Sequence, residues 1–126
     1  MPAPIVLVHD EPAVAAELAA ALMHAGYEVA TFKDALEAMV ALDTPDRIQL
    51  LITRAAFADG RSNGFALARM LRLRRPAAKI LFMARPEYET EAAEIGMVAP
   101  RGSSVKEILD LVRAALNSDS QRSTQG

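Results

Sequence analysis

Five strand-length apolar segments alternating with five helix-length ones predict an α/β fold: a doubly wound, five-stranded parallel sheet with helices on both faces. Three observations carry this expectation. Short aliphatic runs stand at residues 4–9 (PIVLVH), 48–54 (IQLLITR) and 79–83 (KILFM). Apolar residues between the runs recur at helical spacing, and 126 residues suit one domain rather than two.

The element order follows from local chemistry. The first run stops at Asp10, Glu11 and Pro12, where Asp10 is placed to cap a helix and Pro12 suits its first turn. Val14, Leu18 and Leu22 give that helix one apolar stripe, and Gly26 ends it. Glu28–Phe32 (EVATF) alternates polar and apolar residues as an edge strand does. Asp34 then opens a second helix through Leu36, Met39, Val40 and Leu42. The run at 48–54, almost wholly apolar before Thr53 and Arg54, reads as the central strand, covered on both faces.

A polar loop over residues 55–63 precedes a third helix, Gly64–Arg74, capped by Ser62 or Asn63. Arg72, Arg74 and Arg75 at its end complement the helix dipole. After the fourth strand come a short acidic helix at 87–95, a turn at Gly96 and a fifth strand, Met97–Pro100. Ser104 and Glu107 form a capping box for a last helix that carries Ile108, Leu111, Val112, Ala115 and Leu116. The domain is expected over residues 1–117, with a disordered polar tail (SDSQRSTQG) over 118–126.

Composition excludes several function classes. A net charge of −2 with 24% charged residues gives no reason to expect nucleic acid or an acidic membrane as partner. The absence of cysteine removes disulfides, thiolate metal sites and a cysteine nucleophile. The apolar start, residues 1–8, is too short for a membrane span or a signal-peptide core, so we expect a soluble cytoplasmic protein.

In such a sheet, ligand groups gather just past the carboxyl ends of the strands. The first of these turns, HDEP, has no glycine, which removes a dinucleotide site and a phosphate loop. Its carboxylates suit a metal ion or a fixed cation instead. The central strand runs out into Thr53 and Arg54, which places such a cation there.

IVLVHDEP before an amphipathic helix, LLIT with a loop to GFALARMLR, then KILFMAR and VAPRGSSVKEIL, together resemble a bacterial response-regulator receiver domain. The resemblance spans about residues 4–116. It implies the flavodoxin-like strand order 2-1-3-4-5 and a role in two-component phosphorelay signalling. In that family a histidine kinase donates a phosphoryl group to an aspartate at the end of the third strand, and acidic residues after the first strand hold Mg²⁺.

Carried over residue by residue, most of the receiver motif is substituted. The acidic pair falls on His9 and Asp10, with Glu11 beside them, so only Asp10 remains as the family's metal ligand. The phosphoacceptor falls on Arg54, which cannot form an acyl phosphate. The hydroxyl residue of the fourth strand falls on Ala84, the aromatic switch on Val98 and the lysine on Arg101. The stretch from Ala84 to Arg101 is about one helical turn shorter than the family's, which implies a stunted fourth helix.

These substitutions imply an atypical receiver. Arg54 is expected to take the metal's place and pair with Asp10, leaving Mg²⁺ binding weak or lost and no cofactor. Action by contact with a signalling protein, such as a histidine kinase or another receiver, follows; no segment after Leu116 reads as a DNA-binding effector. Phosphorylation at Asp10 or Asp59, or a small anion between Arg54 and Arg101, is the alternative. His9 is expected at the polar edge of the core and His24 in water. No nucleophile–base pair for an enzyme is visible.

Overall fold

The computed structural model describes residues 4–42, 48–57 and 63–125, with side chains as far as residue 117. The strands are β1 (Pro4–Val8), β2 (Glu28–Phe32), β3 (Leu50–Arg54), β4 (Lys79–Ala84) and β5 (Met97–Pro100). The α-helices are α1 (Pro12–His24), α2 (Ala35–Leu42), α3 (Gly64–Arg74), α4 (Glu89–Ile95) and α5 (Val105–Gln125). All pairings are parallel and the sheet order is β2-β1-β3-β4-β5. The doubly wound fold and the order 2-1-3-4-5 are therefore as expected.

Strand parity divides the core. Ile5, Leu7, Leu50, Ile52 and Leu81 face α1 and α5, where Leu18, Leu22, Ile108 and Val112 meet them. The alternate residues Val6, Val8, Leu51, Ile80 and Phe82 pack toward Ala38 and Leu42 of α2, Phe65 and Ala68 of α3 and Ala92 of α4. Leu50, Leu51 and Ile52 are fully buried, as a central strand with helices on both sides requires. Each such side chain contributes about 1.5–3 kcal/mol of transfer free energy. Phe65 and Phe82 stack in a tilted pair with centroids 5.2 Å apart.

Several local expectations need correction. The cap position of α1 belongs to Glu11, with no side-chain cap bond, and not to Asp10. Asn63, one of the two expected candidates, caps α3 and accepts the Ala66 N–H at 2.8 Å, while Ser62 lies outside the described residues. The helix α2 buries Ala35, Ala38 and Leu42 and leaves Leu36 and Val40 exposed, because its stripe is set by the small residues that let it approach the sheet. The loop after β3 is not polar at its start, where Ala55 and Phe57 are buried.

The acidic segment after β4 is split into a 3-10 turn, Pro86–Tyr88, and the seven-residue α4. Helix α5 runs on to Gln125 over residues assigned from sequence to a separate tail. Asp34, by contrast, accepts the Glu37 N–H at 2.8 Å, and Ser104 and Glu107 exchange both bonds of a capping box. Strand β5 stops at Pro100, after which the Arg101 N–H donates to Ala84 O at 3.0 Å. Among the described residues no helix is long and apolar enough to cross a membrane.

Candidate functional site

The carboxyl ends of β1, β3, β4 and β5 meet the start of α1 on one side of the sheet. Val8 pairs with Thr53 and Arg54 with Met83, so the residues after β1 lie beside the end of β3. Thr53, on the Leu51 face, is fully buried, and its hydroxyl donates to Arg54 O at 3.1 Å. Arg54 has the parity of Leu50 and Ile52, so it points to the α1 face, where Asp10 and Glu11 begin their helix.

There Arg54 Nη1 donates to Asp10 Oδ1 at 2.6 Å and lies 3.7 Å from Glu11 Oε1. The Arg54 and Asp10 side chains are only 15% and 18% exposed. A charge-assisted bond in so sheltered a place is strong, and removal of either partner leaves the other charge poorly solvated. Burial of Arg54 is thus coupled to the acidic turn.

His9 is 5% exposed, at the core edge. Its N–H extends the ladder to Phe32 O, and its Nδ1 accepts the Glu11 N–H at 3.0 Å. Accepting a proton bond requires a lone pair on Nδ1, so the ring is neutral with its hydrogen on Nε2. At 3.9 Å, Asp10 Oδ1 therefore faces a neutral ring and not an imidazolium. Burial, then the charge of Arg54, hold the His9 pKa below its ordinary 6.5, outweighing Glu11 and Asp10.

A depressed folded-state pKa means that the unfolded chain takes up the proton first as pH falls. Stability is expected to be undiminished above pH 6.5, the unfolded value, and to drop as pH falls from there toward the lower folded value. Urea titrations at pH 7.5 and about pH 5 compare parent with His9→Gln, which keeps an acceptor but does not titrate. A parent and variant that lose stability equally over this interval would overturn the assignment.

Around these residues lies a pocket of about 360 Å³, lined on the polar side by His9, Glu11, Arg54, Arg85 and Arg101. Val14, Met83, Ala84, Ala99 and Ile108 form its apolar wall. Of the residues singled out from sequence, His9, Glu11, Arg54, Ala84 and Arg101 all reach this pocket, with Asp10 tied to it through Arg54. Val98 has the opposite parity and lies elsewhere, in a shallow groove with Glu107 and Leu111. His24 is exposed on α1, and Asp59 lies outside the described residues. Arg85 escaped the sequence reading, although the strand end KILFMAR carries the same signal as the end at Arg54.

The chemistry on offer is cationic. Among the described residues no three His, Asp or Glu side chains converge as a metal cage. Arg54 Nη1 stands against Asp10 Oδ1, an oxygen of the kind that a hard cation such as Mg²⁺ would take.

Compared as sequence, the chain matches no family model and no curated protein. Compared as structure, it is similar to many solved chains. A chain described as adenylate cyclase from Rhodopirellula baltica superposes with TM-score 0.86 at 17% identity, over 99% of this chain and 95% of that one. A CheY-like receiver domain from Methanospirillum hungatei gives 0.84 at 17% identity, over 97% and 99%. The non-phosphorylated HemR receiver domain from Leptospira biflexa gives 0.78 at 25% identity, over 90% and 93%. With its strand order and both helical layers matched over nearly its whole length, the chain has the fold of a response-regulator receiver domain.

Proposed function

We propose that the chain is an atypical receiver of two-component signalling that takes no phosphoryl group at the usual position and acts by protein–protein contact. Its partner is a signalling protein, such as a histidine kinase or another receiver, in the cytoplasm; it is not an enzyme and does not itself bind nucleic acid. One observation carries this reading. At the end of β3, where the receiver resemblance places the acceptor, Arg54 donates to Asp10 at 2.6 Å. Arginine offers no carboxylate for an acyl phosphate, and its cation already fills the need that a metal would meet in neutralising the acids.

Phosphorylation at Asp10 is disfavoured by the same contact, because the ion pair with Arg54 draws charge from the carboxylate and lowers its nucleophilicity. The purified domain is expected to give an unchanged amide NMR spectrum at millimolar Mg²⁺ and after beryllofluoride is added. Shifts centred on Asp10, Arg54 and Ala84 that spread to β5 and α5 would show a surviving phosphoryl switch and sink the proposal.

A further inference from the structure

Three neighbouring strands each run out into an arginine: β3 ends at Arg54, β4 is followed by Arg85 and β5 by Arg101. Parity puts them on one face, since Arg54 continues the row of Ile52, Arg85 that of Met83 and Arg101 that of Ala99. All three line the same pocket. Their situations differ. Arg54 is offset by Asp10 and Glu11, while among the described residues no carboxylate lies within ion-pair distance of Arg85 or Arg101.

Ala84 and Pro100 are partners across β4 and β5, so Arg85 and Arg101 leave the sheet side by side, about 5 Å apart in backbone. Two like charges so placed repel each other and attract one anion between them, and guanidinium forks match the oxygens of phosphate. The apolar wall of Val14, Ala99 and Ile108 adjoins them, and about 360 Å³ leaves room for more than a bare ion. Glu11, on the opposite rim and 3.7 Å from Arg54, disfavours a second anionic group there.

We infer that this pocket binds a phosphate monoester non-covalently, its dianionic head between Arg85 and Arg101 and its small apolar body, the part that a bare phosphate lacks, against Val14, Ala99 and Ile108. The ligand would join the ends of β4 and β5 to the turn at Gly102 and Ser103 that starts α5. Occupancy by a metabolite would then control the contact surface in place of covalent phosphorylation. This inference rests on the proposed reading, in which Arg54 and not a metal satisfies the acids.

The test is an amide NMR titration of the whole chain with phenyl phosphate and with inorganic phosphate, at constant ionic strength set with chloride. Phenyl phosphate is expected to give saturable shifts at Arg85, Arg101 and Gly102, with about tenfold tighter binding than inorganic phosphate. Arg85→Gln and Arg101→Gln are each expected to weaken it about tenfold. Both side chains are exposed, so neither variant threatens folding. Shifts that do not saturate, equal binding of the two probes, or affinities unchanged in both variants would overturn the inference. Mg²⁺ added to a ligand-free sample separates the two failures: shifts at Asp10 would sink the underlying reading, whereas a silent Mg²⁺ spectrum without phosphate binding would remove this inference alone.

Discussion

Arg54→Asp is expected to bind Mg²⁺ more tightly than the parent chain does. The substitution removes the cation 2.6 Å from Asp10 and adds a carboxylate beside Asp10 and Glu11, giving oxygen donors of the kind that a hard divalent ion requires. Without metal the clustered acids repel one another in a site where Asp10 is 18% exposed, and the variant should lose about 1–3 kcal/mol of stability. Mg²⁺ at tenfold excess over its dissociation constant would restore about 1.4 kcal/mol through binding to the folded state alone. Thermal unfolding with and without Mg²⁺ reads both effects, at about 3–5 °C per kcal/mol for a chain of this size. A variant whose melting temperature responds to Mg²⁺ no more than the parent's does would show that Arg54 is not what excludes the metal.

Gly64→Ala should be more damaging still. A Cβ at Gly64 would stand 2.0 Å from the backbone oxygen of Arg54 and 3.0 Å from Thr53 Oγ1. Neither group can give way cheaply, because Thr53 is fully buried and Arg54 is fixed in the ladder with β4. Helix α3 would have to move away from β3, opening the contact of Phe65 with Phe82. A loss of about 3 kcal/mol or more is expected. Gly26→Ala is the control: its φ of +100° strains any side chain, but nothing lies within 4 Å, so about 1 kcal/mol is expected. Chemical denaturation measures both, and equal losses would mean that the close approach at Gly64 is not what matters.

The fold was legible because its signals are local and repeated. Fully apolar strands such as LLIT, a proline at the start of α1 and the Ser104–Glu107 box each specify an element with little help from the rest of the chain. Helix α2 was less legible: spacing alone does not say that Ala35 and Ala38, rather than Leu36 and Val40, meet the sheet. That choice depends on how closely a neighbouring layer approaches. In the site, the approach of Arg54 to Asp10 could be anticipated from the strand ends; the end at Arg85 carries the same signal, but its pairing with Arg101 comes from register with another strand. Pairwise register across a sheet is tertiary information, and no single run of sequence contains it.

Strand β5 lies at the margin of the sheet and ends at Pro100. Because the Arg101 N–H points inward to Ala84 O, alternation directs the N–H positions of Val98 and Pro100 outward, and proline has no hydrogen there. That margin therefore presents a single outward main-chain donor over its four residues. It is too short and too interrupted to template an added strand, whether from another copy or from an extended peptide. Association on this side must proceed through side chains, which makes recognition specific and keeps crowded copies of the protein from growing into continuous sheets.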